Sequence, residues 1–484
     1  MKCFLLFCAL TALLSLPGEV TLKANFERNQ GPLYSKNGKV RVIAVPDARG
    51  GKKVLSFSTA KKTAMLTSGT MMSSQYASPR VRLCFWARGK GEITPGLSDG
   101  IYLGKGRHKY KAYDAPKSVT LTGKWQKIEF VKDFAGTAPI GVYIRIRLSA
   151  GGDAQLDDLI LETITGKGVK VQAQSTGTII RAGEKLPECR FKVHPAGNEV
   201  KYLFIAPDRT FSSRPPAAAL PGLYRVSGTF DGACAENFIS VLPQKQYDQT
   251  AAAARKIKFA RKTKILILGD SIYDRNRGRN TADKLLFWFN KFQPGKVELH
   301  NAAVSGDYIT LVEKRLKGKA GKHETKKYAR IPENKWDMIL ISLGSNDNRT
   351  WRKDNYQKPL VSFAEQKASM ARVLKFLKKN NPGVRLILIS PPAANEALLE
   401  KRASAAEKRN QPYVKFGVPE LTRQGIAAQK AAASAEKAEY LDFYEEMRNT
   451  CDPDFFVRND VIHQEEKGFN YLTQKILEYL ADKQ

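Results

Sequence analysis

With 484 residues the chain is too long for one ordinary hydrophobic core, and at roughly 150 residues per domain about three units are expected. A hydrophobic fraction of 42% with 10% aromatics excludes a disordered or low-complexity chain. Eighty Lys and Arg against 47 Asp and Glu leave a net charge of +33, a surface that concentrates polyanions.

Met1-Lys2, the apolar stretch from Cys3 to Leu16 and then Pro17-Gly18 read as a secretory signal peptide over residues 1–18. The stretch is too short to span a bilayer comfortably, and no later one is long and apolar enough to do so. A secreted or periplasmic protein without a membrane span is therefore expected. Outside the cell its charge meets anionic polysaccharide or lipid more often than nucleic acid, so no nucleic-acid partner is expected. The plainer alternative is a set of cations that only solvate the surface. Once the signal is removed, Cys84, Cys189, Cys234 and Cys451 remain, and their scatter fits neither a metal knuckle nor a dense disulfide framework. Cys189 and Cys234 are either a bridge within one small domain or two separate buried thiols.

Residues 20–166 alternate in short runs broken by Gly, Asp and Lys: Lys39 to Val45, Lys53 to Ser58, Arg80 to Ala87, Ser118 to Thr120, Lys127 to Val131, Ile140 to Leu148 and Ala154 to Glu162. Short strands at regular spacing without helical periodicity imply a β-sandwich. The closing run from Gly152 to Glu162, with Trp125 to Phe130 before it, resembles the last strands of jelly-roll carbohydrate-binding modules. That resemblance implies exposed aromatics stacked on sugar faces. Trp86, Tyr102, Tyr110 and Tyr113 are the candidates, and a core or rim position would explain each of them as well. Between Lys36 and Lys62, the cations Lys36, Lys39, Arg41, Arg49, Lys52, Lys53, Lys61 and Lys62 face the single acid Asp47.

Residues 168–244 form a second all-β unit with strands at Cys189 to Val193, Glu199 to Ala206, Gly222 to Phe230 and Asn237 to Leu242. Gly222-Leu223-Tyr224-Arg225-Val226 resembles a late strand of an immunoglobulin-like sandwich, where a Tyr anchors a corner. Residues 245–263, rich in Ala, Lys and Arg, read as a helical or flexible linker.

From Lys264 onward strand and helix alternate. Strands are expected at Lys264 to Leu268, Lys296 to Val304, Asp337 to Leu343, Val384 to Ser390 and Glu439 to Phe443, and helices at Thr281 to Phe292, Phe363 to Lys379 and Glu465 to Asp482. That alternation predicts a doubly wound parallel sheet. Ala393 to Lys437, inserted before the last strand, is expected to be helical and near the site. Ile265-Leu266-Ile267-Leu268 suits a parallel strand buried on both faces, and Gly269-Asp270-Ser271 ends it where open α/β sheets place their ligands.

A serine hydroxyl there needs a base, and the base an orienting acid. Five histidines are available: His108, His194, His300, His323 and His463. His463 stands apart because Asp460 precedes it by three residues at the entry to the last helix, a spacing that lets the carboxylate reach one ring nitrogen. An oxyanion also needs donors, and Gly306 and Asn346 sit just past the ends of later strands. Gly269-Asp270-Ser271-Ile272, Gly306, Gly344-Ser345-Asn346-Asp347 and Asp460-Val461-Ile462-His463 stand in the order of the four blocks of the SGNH, or GDSL-like, hydrolases, which residues 264–484 resemble. The resemblance implies a flavodoxin-like fold with a five-stranded parallel sheet, Ser271 as nucleophile, His463 as general base and acid, and Asp460 as its orienter. It also implies an oxyanion hole from the backbone N–H groups of Ser271 and Gly306 and the Asn346 side chain. The one departure is Ile272 where the motif name has Leu.

No Gly-x-Ser-x-Gly elbow stands in the alternating strand and helix region from Lys264 onward, and no His-Glu-x-x-His set is present, so neither the common α/β-hydrolase arrangement nor a catalytic metal or other cofactor is implied. The expected activity is removal of acyl groups, acetyl foremost, from a polysaccharide, an anionic one if the basic charge serves binding rather than solvation. One alternative is a lysophospholipase or other lipid-ester hydrolase, in which Leu285 to Phe289 would line an acyl channel unless they are core. The other is a non-catalytic glycan-binding surface protein. The loop Arg349-Thr350-Trp351-Arg352 is expected to shape the acyl or sugar pocket.

Overall fold

The computed structural model describes residues 20–27, 33–68, 72–73, 80–102, 108–134, 141–174, 177–217, 219–319, 328, 331, 334–450, 452–457 and 460–483. The expected signal segment, His323 and Cys451 lie outside them, as do the side chains of Tyr102, His108 and Tyr110. Two compact units divide the chain. One takes the described residues up to 176 with 185–219 and 224–239, and the other takes 177–184, 220–223 and 240–484.

In the first unit, period-2 alternation builds two antiparallel sheets. Along Arg80–Lys90, Val81, Leu83, Phe85 and Ala87 are fully buried while Arg82, Trp86 and Arg88 face outward. This strand lies between Gln126–Asp133 and Asp153–Thr163 in a six-stranded sheet. In the seven-stranded sheet, Gly141–Leu148 buries Ile144, Ile146 and Leu148 and turns Tyr143, Arg145 and Arg147 out. Leu55, Phe57, Leu83 and Phe85 of one sheet join Leu66, Ile93, Ile144 and Ile146 of the other in a single buried cluster, which makes the pair a sandwich. Strand Glu92–Tyr102 was not expected, because Pro95, Gly96, Asp99 and Gly100 read as turn residues. Pairing along Gly141–Leu148 on one side and His108–Asp114 on the other overrides their propensity.

Of the sugar-stacking candidates, Tyr113 packs inward. Its hydroxyl donates to buried Asp99 at 2.8 Å and its ring meets Phe134 edge-on at 5.5 Å. Burial first, then the Asp99 contact, pushes the Tyr113 hydroxyl up to about 12. Trp86 stays on the outer face, with the Arg49 guanidinium 4.2 Å from its ring centre. Further along the unit, Lys170–Ala173 pairs with Phe191–His194, and Lys201–Ile205 lies antiparallel to Phe211–Ser212 and Gly222–Phe230. Cys189 and Cys234 are separate free thiols, Cys189 accepting from Asn237 Nδ2 at 3.5 Å.

In the second unit, the expected linker contains a helix, Gln244–Lys256. Five strands then form an all-parallel sheet in the order Val297–Asn301, Thr263–Gly269, Met338–Ser342, Arg385–Ile389, Glu439–Leu441. Ile265 and Ile267 join a cluster with Leu285, Trp288, Leu472 and Ile476, whereas Leu266 and Leu268 join another with Val312, Met370, Val373 and Leu377. Successive residues thus pack against helices on opposite faces, which is why the strand is apolar throughout. Helix Thr281–Phe292 starts at a capping box in which Asn280 Oδ1 accepts from Ala282 and Asp283 N–H and Asp283 Oδ2 accepts from Asn280 N–H at 3.1 Å. Leu285, Trp288 and Phe289 of that helix are core residues, with Leu286 and Phe287 packed against them, so the acyl-channel alternative loses its lining. The insertion folds into helices Glu396–Lys408 and Pro419–Ala435, joined through Val414–Lys415, which pairs with Thr350–Trp351. No helix among the described residues is long and apolar enough to cross a membrane.

Inside this unit Lys284 is almost fully buried, donating to Glu466 Oε1 at 2.7 Å and Ser240 Oγ at 2.9 Å, while Asn470 Nδ2 donates to the same carboxylate at 3.1 Å. Glu466→Ala strands that ammonium in the core and is expected to destabilise the unit by about 3–5 kcal/mol, whereas Lys284→Met with Glu466→Leu recovers most of the loss. Thermal denaturation of the three proteins checks this, and a double variant as unstable as the single one would contradict it.

Candidate active site

The aliphatic strand Thr263–Gly269 ends at a tight exit. A Cβ on Gly269 would stand 3.2 Å from the carbonyl oxygen of Ser342 and 3.3 Å from the Tyr273 ring, so the smallest residue suits the bend. Asp270 follows in extended conformation and caps the short helix Ser271–Asp274, its Oδ1 accepting from Ile272 N–H at 3.0 Å. Ser271 is therefore presented at the C-terminal edge of the sheet, 7% exposed.

His463 reaches it from the far end of the chain. Asp460 Oδ1 accepts from the backbone N–H groups of Ile462 and His463 at 3.0 and 2.9 Å, folding residues 460–463 into one turn. Val461 and Ile462 bury against Ala394 and Leu399, and Asn395 N–H donates to Val461 O at 2.8 Å. With backbone and neighbours fixed, Asp460 Oδ2 lies 2.8 Å from His463 Nδ1, and His463 Nε2 lies 2.9 Å from Ser271 Oγ. Burial alone would raise the Asp460 carboxyl, but the hydrogen bond and charge of His463 and the two backbone donors outweigh it and hold the group well below the usual carboxylate range. A carboxylate accepts only, so the proton between the two sits on Nδ1 and the Nε2 lone pair faces the serine hydroxyl. Helix Glu466–Asp482 begins three residues after His463. Among the other histidines, His300 lies on strand Val297–Asn301 with its ring 5.8 Å from that of Trp336, and His194 lies on Phe191–His194 in the all-β region.

Asn346 is buried in the turn after Met338–Ser342 and donates through Nδ2 to Asp270 Oδ2 at 3.2 Å. One amide hydrogen is thereby used, and the carboxamide has a second to offer. The turn depends on Gly344, which adopts a φ of +126° and where a Cβ would stand 2.8 Å from Gln429 Nε2, leaving no room for a side chain. Gly306 stands in the loop after Val297–Asn301 at φ +87°, exposed. That loop is tied to the Ser271 turn by Val304 N–H donating to Gly269 O at 3.0 Å and by Ser305 N–H and Oγ donating to Asp274 Oδ2, each at 2.9 Å.

Sequence reasoning singled out Ser271, His463, Asp460, Gly306 and Asn346 but missed the acids that fix them. Asp347 Oδ1 accepts from Ile309 N–H at 2.9 Å, stitching the Asn346 turn to the segment after Gly306. Asp307 is held by Arg315 Nε at 2.9 Å and by the Tyr328 hydroxyl at 3.1 Å, all three side chains buried. Burial pushes Asp270 up to about 7, with Asp347 and Asp307 adding to the rise and Ile272 N–H and Asn346 opposing it. Burial likewise pushes Asp347 up to about 6 against the pull of Ile309 N–H. An Asp beside a motif residue gives no sign in sequence of which backbone amide it will meet.

Residues 265–476 match the family described as GDSL-like lipase/acylhydrolase. No curated protein matches the chain. Among solved structures, a lipase/acylhydrolase from Enterococcus faecalis aligns over 46% of this chain and 96% of its own at 18% identity, with a TM-score of 0.31. An acetyl-xylooligosaccharide esterase variant from Geobacillus aligns over 46% and 96% at 17% identity and a TM-score of 0.34. A xylan-binding CBM22-1 domain from Paenibacillus barcinonensis aligns over 31% and 96% at 16% identity and a TM-score of 0.26.

The raised Asp270 carboxyl makes stability depend on pH. Its folded value lies near 7 and its unfolded value near about 4, so the folded chain holds a proton that the unfolded chain has lost over that window. Wild type is expected to lose stability as pH rises from about 4 to about 7 and no further from this source above it. Asp270→Asn lacks the titration, so the difference in melting temperature moves in its favour across the window. Parallel pH profiles for the two proteins would contradict the assignment.

Proposed function

Residues 265–476 being a GDSL-like ester hydrolase, we propose that this protein is exported and removes acyl groups, acetyl foremost, from an anionic polysaccharide through an acyl-enzyme on Ser271. The observation that carries the chemistry is the continuous line from Asp460 Oδ2 to His463 Nδ1 at 2.8 Å and from His463 Nε2 to Ser271 Oγ at 2.9 Å. His463 takes the Ser271 proton as Oγ attacks the acyl carbonyl carbon, and Asp460 stabilises the imidazolium so formed. The negative charge that develops on the carbonyl oxygen is met by the N–H of Ser271, the N–H of Gly306 and the second Asn346 amide hydrogen. His463 then protonates the departing sugar oxygen, leaving the acyl group on Oγ. A water, deprotonated by His463, attacks that ester; the carboxylic acid leaves and the proton returns to Ser271.

The sugar side of the reading rests on the first unit. On the outward face of the seven-stranded sheet, Tyr143, Arg145 and Arg147 stand opposite Ser98, Gly96 and Thr94, with Tyr34, 55% exposed, and Lys36 two strands away. Aromatic and cationic side chains beside a floor of small residues suit a charged sugar chain. On the six-stranded sheet the pairs Arg49 with Trp86 and Arg88 with Trp125, at 4.2 and 4.6 Å, offer a second such surface.

Acetate release from acetylated pectin and xylan, beside fatty-acid release from lysophospholipid, tests the substrate class. Wild type is expected to release acetate from glycan, Ser271→Ala to lose about 10⁴-fold or more and Asn346→Ala about 10²–10³-fold. Fatty-acid release alone would overturn the glycan reading, and equal hydrolysis of aryl acetate by wild type and Ser271→Ala would overturn the catalytic one. Binding of the Ser271→Ala chain to an anionic glycan is further expected to weaken steeply between low and physiological salt. Salt-independent binding would return the lysines to a solvating role.

A further inference from the structure

Helix Gln244–Lys256 brings Tyr247, Ala251 and Arg255 to one face, each four residues from the next. The small Ala251 leaves a hollow between the two larger side chains. Lys291 and Phe292, at the end of helix Thr281–Phe292, join Arg181 and Asp248 in completing a cleft of about 270 Å³. All of these residues belong to the second unit. The rings of the cleft serve as seats for cations. The Arg255 guanidinium lies 5.1 Å from the ring centre of Phe292, and the Arg181 guanidinium and the Lys291 ammonium each lie 5.2 Å from that of Tyr247. Lys291 Nζ also donates to the Tyr247 hydroxyl at 2.6 Å. Arg181 is paired with Asp248 at 3.1 Å, whereas no carboxylate among the described residues pairs with Arg255 or Lys291, both exposed.

A guanidinium seated on a ring through its face keeps its N–H edge for a ligand, and an ammonium has three donors, of which the Tyr247 hydroxyl takes one. Two cations without acid partners thus flank one hollow. Ligand pockets run upward from about 300 Å³, so this one suits a single sugar residue rather than a length of chain. We propose that the cleft binds an oxyanion, the carboxylate or sulfate of one acidic sugar residue, between Arg255 and Lys291. The choice of a sugar as carrier rests on the glycan reading above. Helix Thr281–Phe292 ends beside the start of the parallel sheet, where Val297 is level with Thr263, whereas Ser271 follows the far end of strand Thr263–Gly269. At about 3.3 Å per residue that strand separates the two edges by roughly 20 Å. The cleft therefore holds a part of the polymer other than the reacting ester, adding to affinity for glycan and leaving the chemistry on a small ester untouched.

The test labels the lysines of the full chain with N-hydroxysuccinimidyl acetate and reads Lys291 by mass spectrometry of the digested protein. Labelling is run with galacturonate, galactose 6-sulfate, galactose or inorganic sulfate, all at one concentration. The two acidic sugars are expected to slow labelling of Lys291 severalfold, and galactose and inorganic sulfate to leave it unchanged. Arg255→Gln is expected to raise the sugar concentration for half-protection about tenfold, with aryl acetate kinetics and unprotected labelling of Lys291 unchanged as the check on folding. Arg255→Lys, which keeps the charge but not the fork, recovers part of the loss. No slowing by either acidic sugar, the same slowing by galactose or by inorganic sulfate, or half-protection unmoved in Arg255→Gln overturns the proposal. Labelling involves no turnover, so such a failure strikes the cleft alone, while acetate release from glycan decides the esterase reading separately.

Discussion

A serine hydroxyl attacks an ester only when an imidazole lone pair is aimed at it, and an imidazole keeps that aim only if its other nitrogen is tied down. Here the tie is a carboxylate held in place by its own turn: Asp460 accepts two backbone N–H groups through one oxygen and His463 Nδ1 through the other. The turn is itself anchored by Val461 and Ile462 buried against Ala394 and Leu399, and by Asn395 bonded to Val461 O. The helical insertion before the last strand thus supports the turn that carries His463. On the other side, the doubly buried strand Thr263–Gly269 delivers Ser271 to the edge of the sheet where its loops and that turn meet.

Around this line the site is held by buried acids, a costly device. Asp270, Asp347 and Asp307 are each almost wholly removed from water, and burial pushes the first two up to about 7 and about 6. Each offsets part of that cost by accepting from groups whose position matters. Asp270 takes Ile272 N–H and the Asn346 amide, Asp347 takes Ile309 N–H, and Asp307 takes Arg315 and Tyr328. Three loops from three strands are cross-linked in this way, so the donors proposed for the oxyanion share one mesh with Ser271. Preorganisation of this kind is where most electrostatic catalysis resides.

Much of the second unit was legible in the sequence. Helix Thr281–Phe292 carries its own start signal in Asn280 and Asp283, and the three central strands, Thr263–Gly269, Met338–Ser342 and Arg385–Ile389, stand out as aliphatic runs because both sheet faces are covered. Counting histidines and the spacing of Asp460 singled out His463 as a candidate, and the ordered blocks that resemble the SGNH hydrolases were needed to join the pair to Ser271. What stayed hidden was whatever depends on partners distant in sequence. Glu92–Tyr102 is a strand because neighbours pair with it on both sides, against the preference of Pro95 and Gly96 for turns. Asp347 looks like a motif neighbour until Ile309 is found 2.9 Å away. Two residues, Val414 and Lys415, are too few to announce the ribbon that places Trp351 beside Arg349. Tyr113 reads as a sugar platform until its hydroxyl is traced to buried Asp99.

The central claim is that Ser271 is a nucleophile made reactive by His463. Incubation with a fluorophosphonate, which phosphonylates only an activated serine, followed by mass spectrometry of the digested protein reads this without any choice of substrate. The expected result is one adduct per chain, on the peptide containing Ser271, with labelling slowed strongly in His463→Ala. No adduct on wild type, or an adduct that forms at the same rate without His463, would contradict it.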